Sequence, residues 1–529
     1  MLTVQNLTYI HPNKDLLFDN ISLSANNYDK IALIGNNGSG KSTLLKIIAG
    51  LLQPSDGGVR TSSRPYYIPQ LVGQFNGITI AEALRVEDKF KALNEILGGN
   101  ITEQNMALLN DDWTIEERCR EALTYWKLDN FDLRQKMDSL SGGQKTKVFL
   151  AGILIHRPRI ILLDEPNNHL DRDGRRLLYD FLRSYSSISL VVSHDRELLN
   201  LLNSVYELSN RGITVYGGNY DFYAEQKLIE QNAMNQDVRS REKALRKAKE
   251  VERETEERKQ KLDARGKKKQ QKAGVPAIAL NTLRNNAERS SSRLKGVHVE
   301  KVNMISQELS GLRKDLPDID KIKLGFDDSK LYRGKVLLTA KEVNYGYADA
   351  LLWTDPLSFQ ITSGERIAIK GSNGSGKTTL IKLIVGDIEP KKGCVNRADT
   401  KAVYIDQDYS LIDGDLSVYD QAEKFNFSAL QEHEIKIRLS RFLFTKDYWD
   451  KPCIHLSGGE RMRLMLCCLT ISNKAPDIIV LDEPTNNLDM QNIEILTAAI
   501  SEYKGTIIVI SHDEYFLKQS GVEKTIVLN

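Results

Sequence analysis

The chain has 529 residues, 41% hydrophobic and 27% charged, a length that calls for two or three cores rather than one. No apolar run approaches the roughly 18 to 20 residues needed to cross a bilayer, and the longest, Ile160 to Leu163 and Ile478 to Leu481, read as short buried strands. The opening Met1-Leu2-Thr3-Val4 lacks a basic or apolar leader and the five cysteines form no C-x-x-C pair, so a cytoplasmic chain with reduced thiols is expected, without zinc or iron–sulfur sites.

After a β-rich start, the predicted strand Lys30 to Ile34 runs into Gly35-Asn36-Asn37-Gly38-Ser39-Gly40-Lys41-Ser42 and Thr43, which open a helix. In a Gly-x-x-x-x-Gly-Lys-Ser/Thr loop, backbone N–H groups and the helix N-terminus point at phosphate oxygens. Lys41 is placed to reach the β- and γ-phosphates, and Ser42 to reach Mg²⁺. A strand end carries Gln70, helical material follows, and then come Ser141-Gly142-Gly143-Gln144 and the buried strand Ile161-Leu162-Leu163-Asp164-Glu165. Paired carboxylates at a strand end suit metal holding by Asp164 and proton removal from water by Glu165. Another buried strand ends in Ser193-His194-Asp195.

Between about Ala224 and Arg265 the sequence is rich in Lys, Arg, Glu, Ala and Gln with no Pro or Gly, which predicts a helix. Gly266 to Pro276 is expected to interrupt it as a lysine-rich tip, and Leu283 to Leu312 to return as a second, antiparallel helix. From Arg239 to Lys301 there are 20 Lys plus Arg against 9 Asp plus Glu, a charge of +11 in a chain whose total is +2. That asymmetry places an anionic partner at the middle segment. Phosphate contact and shape, rather than a base-reading code, are the expected mode.

Everything before the linker then recurs in order. Gly371-Ser372-Asn373-Gly374-Ser375-Gly376-Lys377-Thr378 and Thr379 follow the strand Arg366 to Lys370, and Gln407, Ser457-Gly458-Gly459-Glu460, Asp482-Glu483 and Ser511-His512-Asp513 come after. The loop lysines lie 336 residues apart, the glutamines 337, but the serines of the Ser-Gly-Gly motifs only 316. The first copy therefore holds about 21 extra residues (337 − 316), near Asn94 to Trp113, read as a helical insertion turning at Gly98-Gly99-Asn100. Alternating apolar strands and helices predict an α/β fold with a mostly parallel sheet covered on both faces.

Two phosphate loops, two Ser-Gly-Gly motifs and two Asp-Glu strand ends at matching spacings resemble the ATP-binding cassette superfamily. Asp164-Glu165-Pro166-Asn167-Asn168-His169-Leu170-Asp171, its counterpart Asp482 to Asp489, and Tyr216-Gly217-Gly218-Asn219-Tyr220 resemble its ABC-F subfamily, whose members act on ribosomes. The resemblance implies two P-loop NTPase cassettes, 1–219 and 319–529, joined by a long two-helix linker over 220–318. It implies ATP and Mg²⁺ as cofactors, Glu165, Glu483, His194 and His512 as catalytic residues, and Ser42, Gln70, Asp164, Thr378, Gln407 and Asp482 around the metal. It also implies a head-to-tail pairing within one monomer, in which Ser457, Gly458 and Gly459 complete the first site and Ser141, Gly142 and Gly143 the second.

For adenine stacking, Tyr347 lies 24 residues before Gly371, and the same spacing before Gly35 gives His11, beside Tyr9, the counterpart of Tyr345. Asn167 stands where threonine is usual, with little loss expected. Differences between the two sites are thus expected to be confined to adenine stacking, Asn167 and the insertion. The resemblance also implies that residues 239–301 meet rRNA and tRNA, in general translation or in antibiotic resistance by ribosome protection. The sequence runs 17 residues beyond His512, and no C-terminal coiled coil or basic tail is expected. The alternative is the tandem ATP-binding subunit of a membrane transporter, against which the long basic linker argues.

Overall fold

The computed structural model describes residues 1–70, 73–209, 211–270, 296, 299–313, 331, 333–347, 350–372, 374–472, 475–486 and 488–528. Asn373, Asn487, the linker tip from 271 onward, and Leu283, Leu294 and Val297 lie outside the described residues. The chain divides into two compact units, one made of Met1–Phe222 with Lys321–Asn529 and the other of Tyr223–Asp320.

Both cassettes lie in the first unit and share one topology. In the first, β1 (Leu2–Ile10), β2 (Leu16–Ala25), β3 (Lys30–Ile34), β4 (Asp56–Thr61), β5 (Tyr66–Ile68), β6 (Ile160–Asp164), β7 (Ile188–Val192), β8 (Ser204–Ser209) and β9 (Gly212–Tyr216) form two sheets. One is antiparallel, in the order β2-β1-β4; the other runs β5-β6-β7-β3-β8-β9 and is parallel except for β9. The second cassette has β10 (Val336–Asn344), β11 (Leu357–Thr362), β12 (Arg366–Gly371), β13 (Lys392–Arg397), β14 (Ala402–Ile405), β15 (Ile478–Asp482), β16 (Thr506–Ile510) and β17 (Lys524–Leu528). Its orders, β11-β10-β13 and β14-β15-β16-β12-β17, repeat the first pattern strand for strand up to β9.

Strands β6 and β7 are buried at every position, as expected for a parallel sheet covered on both faces. The first core packs Leu2, Val4 and Ile21 of the antiparallel sheet, Leu44, Leu45 and Ile48 of the helix Lys41–Ile48, and Ile31, Leu162 and Leu190 of the parallel sheet. The second repeats it with Leu338, Ile361, Leu380, Ile384, Ile367, Val480 and Ile508. Because β3, β6 and β7 are parallel neighbours, their C-terminal ends meet at one edge of the sheet. The phosphate loop, Asp164-Glu165 and His194 therefore converge from segments far apart in sequence.

The first-cassette insertion, near Asn94 to Trp113, covers the end of the helix Glu87–Leu97 and all of the helix Glu103–Leu109, the latter capped by Thr102, whose Oγ1 accepts from Asn105 N–H. Gly98 and Gly99 connect them, with Gly99 at a φ of 93°.

The helix Tyr220–Gln270, which enters the other unit at Tyr223, runs unbroken for 51 residues, roughly 77 Å at about 1.5 Å per residue. The interruption expected at Gly266 is thus corrected: the helical backbone continues through it to Gln270. One glycine in a helix costs only about 1 kcal/mol, and the flanking Ala264, Arg265, Lys267, Lys268, Lys269 and Gln270 are good helix formers. The backbone over 299–313 is helical too; Ile305 and Leu309 are buried there, and Arg241 and Arg313 form ion pairs with Glu308 and Glu242 at 3.0 and 2.6 Å.

Candidate functional site

Two cavities of about 400 and 500 Å³ lie at the sheet edges, each lined by both cassettes. The first holds Asn37, Gly38, Gly40, Lys41, Ser42, Thr43, Gln70, Asp164, Glu165 and His194, together with Ser457. The second holds Gly374, Gly376, Lys377, Thr378, Thr379, Gln407, Asp482, Glu483 and His512, together with Ser141, Gly142 and Gly143. Gly35, Asn36, Ser39, Gly458 and Gly459 do not line the first cavity, nor Gly371, Ser372 and Ser375 the second.

The loops themselves explain their glycines. Gly40 has a φ of 96°, and a Cβ there would meet the Phe18 ring at 2.8 Å; Gly376 has a φ of 90° and faces the Trp353 indole. Lys41 is buried and its Nζ donates to the carbonyls of Gly35 and Asn36 at 2.8 and 3.1 Å, while Lys377 makes the same pair of bonds to Gly371 and Ser372. Burial holds both ammonium groups below the usual lysine range.

Ser42 Oγ donates to Asp164 Oδ1 at 3.1 Å and Tyr67 to Asp164 Oδ2 at 3.2 Å; Tyr404 holds Asp482 Oδ2 at 2.9 Å. Glu165 and Glu483 both sit in left-handed backbone, at φ of 50° and 47°. Such strain in a non-glycine residue costs about 1 to 3 kcal/mol and persists where neighbours over-determine it. Here the backbone N–H groups of the two glutamates bond to Val192 and Ile510 of the adjacent strands at 2.9 and 2.8 Å.

Each glutamate Oε1 lies 3.4 Å from the Nε2 of the following histidine, His194 or His512. Burial pushes the Glu165 carboxyl well up and that of Glu483 to about 7, and lowers the imidazoles, His512 to about 4. Glu165 Oε1, both Glu483 carboxylate oxygens, His194 Nδ1 and the hydroxyls of Ser39 and Ser375 are buried and make no hydrogen bond among the described residues. Lysine, serine and loop amides on one side of each cavity and carboxylates on the other fit a phosphate chain with a divalent cation.

The Ser-Gly-Gly motifs are helix starts. Ser141 caps the helix Gly142–His156 and Ser457 the helix Gly458–Ile471, each in a reciprocal box with the third residue, Gln144 or Glu460. The box satisfies the N-cap and third N–H groups, leaving the glycine N–H groups of the first turn for an anion. A Cβ on Gly143 would meet the His169 carbonyl, and one on Gly459 the Asn492 amide.

His11 and Tyr347 fall in the first and second cavities. Their rings meet Tyr9 and Tyr345 edge-on in near-identical geometry, with centroids 5.5 Å apart in both and planes at 84° and 80°.

Three further residues reach the sites; His169 and Asp489 lie within the motifs that carry the resemblance but were given no role there, and Arg175 carries no sequence signal. Asp489 caps the helix Met490–Glu502 and also accepts from Asn37 N–H of the opposite loop at 3.0 Å. His169 and Arg175 of the first cassette line the second cavity. Asn167 accepts from Ser193 Oγ at 2.8 Å and donates to Asp195 at 3.3 Å, so its longer side chain reaches partners within its own cassette. The expectation that the sites differ only in adenine stacking, Asn167 and the insertion is corrected: Arg175 has Ile493 as its counterpart.

The family model described as "ABC transporter" matches residues 18–168 and 354–486. The chain belongs to the ATP-binding cassette family. It is similar over 96% of its length to the "Putative ATP-binding protein YdiF" of Bacillus subtilis, at 32% identity and covering 76% of that protein. It also matches the "ATP-binding protein Uup" of Haemophilus influenzae, at 30% identity over 96% of this chain and 76% of that one. These relatives and the tandem cassettes place it in the ABC-F subfamily, and it is a nucleotide-binding ATPase. Among solved structures, the archaeal ribosome recycling factor aABCE1, in complex with the ribosomal stalk protein aP1, superposes with a TM-score of 0.60 at 19% identity, covering 99% of this chain and 87% of that one, a likeness of fold. Among the described residues no helix is long and apolar enough to cross a membrane.

Proposed function

We propose that this ABC-F ATPase is a cytoplasmic ribosome-binding protein that closes on two ATP molecules and is released by their hydrolysis, working as a monomer whose cassettes, 1–219 and 319–529, pair within the chain. The observation that carries the reading is the composition of the two cavities: neither is built from one cassette alone. Nucleotide in either cavity thus favours apposition of the cassettes, and tethering makes that apposition a high-effective-concentration event. The +11 segment 239–301 supplies the surface for rRNA and tRNA phosphates. The subfamily resemblance points the same way, and so does the ribosome named for aABCE1.

Ser42, Gln70 and Asp164 in the first cavity, and Thr378, Gln407 and Asp482 in the second, are the residues to hold Mg²⁺. When bound, that ion supplies charge neutralisation along the phosphates. Glu165 and Glu483 take the proton from the attacking water, with His194 and His512 standing 3.4 Å from them. Ser457 and Ser141 close each cavity from the opposite cassette.

Glu165→Gln with Glu483→Gln removes both bases while leaving the cavities in place. With ATP, the double variant should cosediment with ribosomes and the wild type should not remain bound. If the double variant stays in the supernatant, ribosome binding is wrong. Drug susceptibility with and without expression then separates ribosome protection, which raises resistance to drugs of the large subunit, from general service in translation, which leaves the panel unchanged.

A further inference from the structure

We propose that Arg175, supplied by the first cassette, is a specificity-determining residue of the second nucleotide site that senses the terminal phosphate there. The inference rests on the two-ATP reading above. Arg175 lines the second cavity together with Lys377, Glu483 and His512, and its side chain is only 11% exposed. Its Nη1 donates to Asp195 Oδ2 and its Nε to the Leu170 carbonyl, both at 3.3 Å. Among the described residues Nη2 has no hydrogen-bond partner. A guanidinium fixed by two of its corners presents the third in a set direction, which suits a planar fork reading a phosphate oxygen.

Asp195, its anchor, immediately follows His194 of the first site and also accepts from Tyr179 at 2.6 Å and from Asn167. Arg175 therefore joins the histidine turn of one site to the cavity of the other. Between the sites lies a small cavity of about 20 Å³, lined by Glu165, His194, Asp195, Arg175, Asn486 and Asp513 among others, with room for about one water. In the second cassette the positions of Asn167, Arg175 and Tyr179 hold Thr485, Ile493 and Thr497. The first site consequently lacks this cation, and the two sites differ at the phosphate end as well as at the adenine end.

The competing explanation is an ion pair that only steadies the Asp195 turn. The two are separated by titrating the full-length chain with fluorescent ATP and ADP analogues, using Lys41→Ala to leave the second site and Lys377→Ala to leave the first. With Lys41→Ala, Arg175→Ile should weaken ATP by about tenfold, the scale of one charge-assisted hydrogen bond, and ADP by less than about twofold. With Lys377→Ala it should change neither. Arg175→Lys should recover part of the ATP preference. Equal weakening of ATP and ADP, an equal ATP loss at both sites, or no change at either overturns the proposal. Failure of the parent chain to bind two nucleotides overturns instead the reading beneath it. Melting temperatures of the Arg175 variants identify any loss that comes from unfolding.

Discussion

The backbone N–H of Asn37 donates to Asp489 Oδ2 at 3.0 Å, joining the phosphate loop of one cassette to the helix cap of the other. The same carboxylate satisfies Asn492 N–H through Oδ1 at 2.8 Å. One side chain thus holds a helix start and a nucleotide loop at once, and Asp489 is buried where it does so.

Asp489→Ala should accordingly have two effects. Loss of the N-cap costs about 1 kcal/mol, which in a protein of this size lowers the melting temperature by only a few degrees, on the order of 2 °C. The loop contact is lost as well, so nucleotide affinity at the first site should fall severalfold while the second is spared. Nucleotide titration of Asp489→Ala with each site left singly intact checks the asymmetry, and an equal loss at both sites would show the cap to be the whole effect.

His156 gives the chain a pH-dependent term far from either cavity. Its Nε2 lies 2.7 Å from the Leu84 carbonyl, which can only accept, so Nε2 carries a proton and donates it. Burial holds its pKa below the usual 6.5. Between the folded and unfolded values the unfolded chain binds more protons, so stability rises with pH there. The penalty is absent above about pH 7 and grows as pH falls below about 6. Thermal melts of wild type and His156→Gln across that range should show the wild type losing ground to the variant on the acid side only.

What could be read from the sequence was whatever the backbone demands locally. A loop with φ of 96° at Gly40 and 90° at Gly376 needs glycine, and a strand end that turns into a cavity through Glu165 or Glu483 leaves a recognisable Asp-Glu pair. The spacings that separate these motifs also set the parallel sheet, because every crossover must return to the same edge. His169 and Asp489 lie in motifs legible in the sequence, but their contacts, like those of Arg175, lie across the cassette boundary, where no spacing reports them. Arg175 reads as one more exposed helical arginine until the second cavity is seen around it. Gly266 misled in the other direction, since a residue that breaks many helices is tolerated when its neighbours are strong helix formers.

The adenine ends of the two cavities offer a different kind of test. Tyr347 is 62% exposed, a large aromatic face with little protein against it. Its hydroxyl lies 3.3 Å from Thr379 Oγ1, which fixes the ring beside the loop helix. Stacking of a base on such a ring is worth about 1 to 3 kcal/mol, so Tyr347→Ala should weaken nucleotide at the second site by about tenfold or more. His11→Ala should cost less at the first site, because imidazole offers a smaller face, and His11→Tyr should tighten it. Site-by-site nucleotide titration of these three variants gives the order; a larger loss for His11→Ala than for Tyr347→Ala would contradict it.

The linker makes the last prediction, and its charge alone determines the form. Each phosphate neutralised by a lysine or arginine releases counterions, so the logarithm of affinity falls with the logarithm of salt by about 0.7 to 0.9 per contact. Lys267, Lys268 and Lys269 are consecutive, at the end of the 51-residue helix. Changing all three to glutamine keeps helix propensity and removes three charges. If they meet ribosomal RNA, ATP-dependent ribosome binding by the variant should weaken and its salt slope should fall by up to about 2 to 3, while ATP hydrolysis without ribosomes is unchanged. Sedimentation at a series of salt concentrations measures the slope. An unaltered slope would place the RNA contact elsewhere along residues 239–301.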